Sequence, residues 1–243
     1  MCFLEPDTQE DDCGQAASSV KDALLCTYKG TDKREIKYFH GLTVHRARSK
    51  LFLDQTEYAS KLTQQAEGLV WTPKCISLPP SQYSNPLEHM LTDEAAARYH
   101  QTVGQPMYLA TMTRPDLADS NGYLVRHMSQ PYDTHDARLG QVLDYLHTTH
   151  SFVLHLGHQS DERILGSMDS EWGQEPFRKS VYGYCFQLDG SLISWRSTKF
   201  LITACSSVEA EHMAAGEATK EALHIRWLMC FFYGKCCNTA LYR

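Results

Sequence analysis

Between Ile164 and Leu228 the apolar period switches from two to about 3.6, with a two-residue turn inside the first part, and few architectures accept that order of signals. From Val181 to Leu188, Tyr182, Tyr184, Phe186 and Leu188 fall on one face and Gly183, Cys185 and Gln187 on the other, as in a strand. Asp189-Gly190 then supplies two residues that tolerate the left-handed backbone of a type I′ hairpin turn. Beyond Ser207, the residues Ala210, Ala214, Ala218, Ala222, Ile225 and Leu228 make one narrow apolar stripe along a helix. The stretch predicts three strands followed by a helix laid across their sheet, an α/β arrangement.

The acids of this unit divide by geometry. Ser206 and Glu209 have the spacing of a capping box, in which each side chain serves a backbone N–H at the helix start. Glu211 sits about 200° around the helix from Glu209 and shares the stripe of Ala214, Ala218 and Ala222. A carboxylate there is costly unless its charge is compensated. In the first strand Ser167, Asp169 and Glu171 share one face while Gly166, Met168 and Trp172 take the other. With the helix across that sheet, Asp169 and Glu211 are expected to converge, and two converging carboxylates call for an oxygen-seeking divalent cation, Mg²⁺ or Mn²⁺. Solvated acids at a strand end and a helix end explain the same residues without a metal.

The segments GSMDSEWG, RKSVYGY, LISWRSTK and CSSVEAEHMA, in that order and spacing, resemble the ribonuclease H domain of copia-type retrotransposon polyproteins. Upstream, IKYFHGLTVHR and LFLDQTEYASKL are similar to the late palm segment of the reverse transcriptase in those polyproteins, TRPDLA to its connecting helix pair, and HDARLGQVLDYLHTT to the helix before the nuclease. The likeness covers roughly residues 20 to 230, and several motifs in order are far more specific than any one of them. It implies that Asp169 and Glu211 are catalytic metal ligands, that the cofactor is Mg²⁺ or Mn²⁺, and that an RNA–DNA hybrid or other nucleic acid is the partner. It also implies contact with the rest of a reverse transcriptase. Arg178 and Lys179 fit the resemblance as contacts to the hybrid backbone, and a solvated loop explains them as well.

On this reading the fold is an incomplete ribonuclease H-like mixed sheet with its first helix, preceded by a mostly helical thumb or connection region. Residues 1–19 are acidic, small and polar and read as a disordered leader, Val20 to Cys26 fits a short helix, and 20–70 hold a hairpin and a helix at the end of the palm. Pro73, Pro79, Pro80 and Pro86 mark 71–92 as a linker. Thr92-Asp93-Glu94 caps a helix to about Ala110, Arg114-Pro115-Asp116 breaks it, and a second helix should run to about Met128. Thr134 to His147 makes a third, closing a helical region of 93–150. Phe152, Leu154 and Leu156 alternate as a strand that opens a truncated nuclease-like domain over 151–232, and 233–243 remains as a tail.

Composition limits the alternatives. The formal charge of −6 argues against bulk electrostatic binding of nucleic acid, so contact with a hybrid requires local basic strips. One candidate is Lys29 to Lys50, with seven basic and two acidic residues and with Tyr38 and Phe39 among them; a solvated hairpin face fits equally. Nine cysteines without a C-x-x-C pair suit a reducing compartment, and neither a secretory signal nor a membrane span is expected. The expected location is cytoplasm or nucleus. The histidine pairs His147/His150 and His155/His158 lack cysteines at zinc-site spacing and read as structural.

The implied chemistry needs more than this stretch holds. Ribonuclease H hydrolysis uses about four acids around two cations roughly 4 Å apart. No Asp or Glu follows Glu221, and Asp11-Asp12 follows Gln9-Glu10 rather than the apolar strand of a polymerase Tyr-x-Asp-Asp motif. Little or no turnover by this chain alone is therefore expected. A non-catalytic remnant that binds nucleic acid or a partner is the competing reading. Several residues depart from the resemblance: Gln105-Pro106 and Asp119-Ser120-Asn121 stand at apolar positions, Glu171 at a usual Asp, and Phe200 at a usual Gln.

Overall fold

The computed structural model describes residues 9–32, 35–47, 50–65, 89–157, 163–175, 178–233 and 239–242. Most of the expected proline-rich linker lies outside them, as do His158, Cys236 and Cys237.

A helix, α1 (Gln9–Thr27), opens the described chain, so the second half of the expected leader is helical. It touches the last long helix. Then β1 (Tyr38–Phe39), β2 (Leu42–Ala47) and β3 (Lys50–Asp54) form an antiparallel meander. The first turn uses His40 and Gly41, both at positive φ. Helix α2 (Thr56–Gln65) follows, with Asp54 Oδ1 accepting from Thr56 N at 2.7 Å.

The helical body is α3 (Asp93–Met112), a 3-10 turn (Pro115–Leu117), α4 (Ala118–Arg126) and α5 (Asp133–Thr148). Thr92 caps α3 by accepting from Ala95 N. Pro106 stands inside α3, where a proline costs about 3 kcal/mol, but its ring is buried and adds apolar volume to the core. That core joins Ala59 and Leu62 of α2 with Tyr99, Val103, Leu109, Leu117, Leu124, Leu139, Val142 and Leu146.

Strand β4 (Leu154–Gly157) pairs antiparallel with β3, not with the later strands. Residues 154–157 thus complete the first sheet, in order β1-β2-β3-β4, and the second sheet starts only at β5. Leu154 and Leu156 carry the period of a strand, but nothing in a period names the partner.

The second sheet contains β5 (Ile164–Glu175), β6 (Lys179–Leu188) and β7 (Ser191–Lys199), all antiparallel. Asp189 and Gly190 have φ of 53° and 76°, as a type I′ turn needs. Helix α6 (Ser207–Tyr233) crosses back over β5, and β8 (Thr239–Tyr242) returns parallel beside it, giving the order β7-β6-β5-β8. The expected tail of 233–243 therefore includes a strand, which lies along the edge of β5. Gly166 permits the close approach: a Cβ there would stand 2.4 Å from Phe186 and 2.8 Å from Leu241.

Ala210, Ala214, Ala218, Ala222 and Ile225 are all buried, and small residues let α6 sit low on the sheet. They meet Ile164, Phe186, Tyr182 and Met168. Phe200 fills the end of this layer, stacked on Tyr182 at 4.4 Å. The opposite face of the sheet docks on the helical body at β7. Trp195 Nε1 donates to the Ala110 carbonyl at 2.7 Å, and Ser197 Oγ donates to Asp119 Oδ1 at 2.9 Å. Asp119 thus departs from the family's apolar pattern because it serves an interface, and the buried Ser120 donates to the Leu117 carbonyl. Among the described residues no helix is long and apolar enough to cross a membrane.

Candidate functional site

Strand β5 runs unbroken against β6 from Ile164 to Glu171, so its side chains alternate strictly over that range. Ile164 and Met168 pack under α6. Asp169 therefore projects from the other face, where it is exposed and its Oδ1 accepts from Ser170 N at 2.8 Å. Its neighbour across the ladder is Gly183, and beyond Gly183 lies Ser197, the residue that holds Asp119.

Glu211 occupies the first turns of α6, on the sheet-facing stripe. It is half-buried, and one carboxylate oxygen is shut off from solvent. The start of α6 keeps one half of the expected capping box, with Ser206 Oγ accepting from Glu209 N at 3.1 Å, while Glu209 Oε2 accepts from Cys205 N at 2.6 Å, one residue before the cap.

The two acids consequently lie on different sides of β5, Glu211 in the layer beneath α6 and Asp169 on the far face. Strand parity therefore argues against the expected convergence. The physical reason was already in the strand pattern: α6 presents alanines, alanines seek the Met168 face, and Glu211 rides with them. Among the described residues no group of three or more His, Cys, Asp or Glu could hold a metal ion. A donor set of two carboxylates on opposite faces of a strand does not fit Mg²⁺ or Mn²⁺, which need several oxygens around one point.

Arg178 and Lys179 lie at the β5–β6 connection. Arg178 has a φ of 56°, is exposed, and its guanidinium stands 5.1 Å from the Trp172 ring, while Trp172 Nε1 donates to the Ala204 carbonyl at 3.0 Å. Lys179 Nζ donates to the Leu201 carbonyl. Both fasten the connection to the segment leading into α6. His155 packs on the Phe52 ring and His150 Nδ1 donates to the His147 carbonyl, which are structural roles.

Sequence reasoning missed two polar clusters. In the first, buried Arg114 donates from Nε to Asp116 Oδ1 at 2.9 Å, from Nη2 to Asp116 Oδ2 at 2.6 Å, and to the carbonyl and hydroxyl of Thr149 at 2.9 and 2.6 Å. Tyr145 OH donates to Asp116 Oδ2 at 2.8 Å. Burial alone would raise the Asp116 carboxyl, but the Arg114 guanidinium and the Tyr145 hydroxyl together hold it below its ordinary range. The second cluster sets Arg126, His127, His135 and Arg138 against the Tyr123 ring. The only sequence signal for either was the TRPDLA segment, which marks a turn and says nothing of Thr149.

The architecture defines a mixed α/β protein: a helical body carrying one antiparallel sheet, and a second sheet crossed by a long helix that leads to a parallel strand. Over 219 residues the chain is 31% identical to the retrovirus-related Pol polyprotein from transposon TNT 1-94 of Nicotiana tabacum, which is 86% of this chain and 16% of that one. It is 30% identical over 192 residues to an uncharacterized mitochondrial protein of Arabidopsis thaliana, covering 79% of each. Over 131 residues it is 42% identical to secreted RxLR effector protein 161 of Plasmopara viticola, covering 54% of this chain and 90% of that protein. No protein-family model matches the chain, and no solved structure matches it. The chain belongs to the retrotransposon Pol-derived proteins.

Proposed function

We propose that the chain is a fragment of a copia-type Pol polyprotein, joining the end of its reverse transcriptase to the first part of its ribonuclease H, and that it does not turn over by itself. The observation that carries this reading is β8. The resemblance calls for a strand after the first helix of the nuclease, and β8 follows α6 and lies parallel to the strand that bears Asp169. Asp169 and Glu211 are the positions at which that lineage would hold Mg²⁺ or Mn²⁺. The pairing of β8 with β5 reaches Ser167 and Tyr242, so no described β8 residue stands level with Asp169. With Glu211 beneath the helix, the donors fall short of a metal centre, and no hydrolytic step follows from them. Incubating the purified chain with a labelled RNA–DNA hybrid in Mg²⁺ or Mn²⁺ is expected to give no metal-dependent cleavage. Robust cleavage that disappears in Asp169→Asn would overturn the proposal.

A second reading, a non-catalytic module that binds nucleic acid or a protein partner, draws on the Plasmopara viticola relative. A 131-residue match makes up 90% of that protein, so much of this architecture serves there as nearly a whole chain, under the name of a secreted effector. If the basic hairpin side of β1–β3 meets a hybrid, its affinity should fall steeply with added salt, because each phosphate contact releases counterions. A flat response would remove the hairpin from consideration.

A further inference from the structure

Helix α6 has two faces of opposite use. Its alanine stripe is buried on the second sheet, and Trp227, nine residues beyond Ala218, lies about 180° around the helix from it. On that outward side, the row at every fourth residue begins with Ala215 and Thr219 and then turns to Leu223, Trp227 and Phe231. Those last three are 57, 62 and 60% exposed, although α1 touches the same helix. The Trp227 and Phe231 rings stack with centroids 6.0 Å apart and planes 22° from parallel, and Phe232 meets Phe231 edge-on at 5.3 Å. The ridge is thus preformed and still faces water.

We infer that two copies of the chain pair through this ridge about a two-fold axis, α6 antiparallel to α6, with Trp227 at the axis. Taking about 150–250 Å² for each large side chain, the three leave roughly 400 Å² of mostly apolar surface per copy. A patch of that size marks an interaction site rather than scattered surface residues. Two such ridges with their flanks bury about 1,000 Å², which reaches the lower bound for a specific interface. His224 and Arg226 are exposed on either side of Trp227 and supply the polar rim.

The pattern favours a second copy over other occupants. A ridge of residues four apart packs into the groove beside an identical ridge, with the helix axes crossing at about −50°. With Trp227 at the axis, Leu223 of one copy meets Phe231 of the other, so a smaller side chain faces a larger one at both ends. A helix that docks on lipid carries a polar face rich in Lys and Arg, whereas Arg226 is the only ionic residue between Glu221 and Tyr233. The inference uses the outer face of α6 alone and does not depend on the polyprotein reading.

Sedimentation equilibrium of the full chain, from low to high micromolar concentration, should show a reversible monomer–dimer equilibrium. Trp227→Glu sets two carboxylates at the axis and should raise the dissociation constant by about 30-fold or more, with an unchanged far-UV circular dichroism spectrum. Leu223→Lys together with Phe231→Glu should lose less association than the two single changes summed, because each Lys then meets a Glu of the other copy.

Should Trp227→Glu fail to fold, NMR of the natural chain decides. Between dilute and concentrated samples the signals of Leu223, Trp227 and Phe231 should move, while those of the β1–β2 hairpin and of β8 stay in place. A chain that stays monomeric throughout, a dimer that a folded Trp227→Glu variant keeps, or concentration-dependent shifts centred elsewhere overturns the inference. So does a monomer that floats with phosphatidylcholine vesicles, which assigns the ridge to a lipid surface.

Discussion

Around Arg114 the helical body buries charge, whereas between α6 and the second sheet the protein buries alanine and aromatic rings. The first arrangement ties residues 35 apart in the chain through hydrogen bonds that fit only one way. The second is a matter of stripe and parity, in which any small residue on α6 and any large one on β5 and β6 give much the same contact. Apolar layers set the general shape; the ionic cluster sets how the α3–α4 turn meets the end of α5. The two therefore differ in how they should fail.

The largest effect is expected from Arg114→Met, which takes the guanidinium donors away from the Asp116 carboxylate and from the Thr149 carbonyl and hydroxyl and should destabilise by about 3–5 kcal/mol in a denaturant titration. Replacing Arg114 and Asp116 together by apolar residues should recover much of that loss. If the double change is as harmful as the sum, the comparison between the two cores is wrong. Phe186→Ala should cost a similar or slightly smaller amount, about 3–4 kcal/mol, because its ring is fully buried between α6 and the sheet.

Gly166→Ala is subtler. The new methyl group must displace Phe186 or Leu241, so a loss of about 1–3 kcal/mol is expected, with amide exchange of β8 rising before that of β6. Equal exchange in both strands would mean that β8 is not a separate, weaker addition to the sheet. Gly190→Ala is the mildest of the set, at about 1–2 kcal/mol for a side chain forced to positive φ, and it should leave the helical body untouched.

Acid should weaken the helical side first. The folded pKa of His127, about 4, lies below its ordinary 6.5, so folding favours the neutral ring. Its contribution is complete above pH 6.5 and is lost as the pH falls from 6.5 to about 4. Asp116, held below its ordinary 3.8, adds stability that is lost only at still lower pH. Chemical denaturation at pH 7 and pH 5 should show the first loss, and His127→Gln should flatten it.

How much of this lay in the sequence depended on whether the determinant was local. The type I′ turn of Asp189-Gly190, the alanine stripe, the break at Pro115 and the cap at Thr92 each involve a few adjacent residues, and each stands where the pattern puts it. Strand β8 was hidden because four residues of TALY carry no readable period and owe their extension to the edge of β5. Leu154 and Leu156 announced a strand, but its partner β3 lies about a hundred residues earlier, and pairing is a tertiary property. Of helix α1 the sequence offers only a short helix over Val20 to Cys26; the part from Gln9 to Ser19 is hidden by its acidic, polar composition.

The candidate site teaches a different lesson. The strand pattern already set Asp169 opposite Met168, and the helix pattern already set Glu211 among the alanines. Taken together, those two facts put the acids on different sides of β5, and only the expectation of a shared metal joined them.

Mn²⁺ titration of the isotope-labelled chain tests that separation most directly, because a paramagnetic ion broadens the NMR signals of every group close to it. The structure predicts that no Mn²⁺ site broadens the signals of Asp169 and Glu211 together, and that Asp169→Asn leaves any broadening near Glu211 unchanged. Joint broadening of both residues at low Mn²⁺, abolished by either Asp169→Asn or Glu211→Gln, would contradict it.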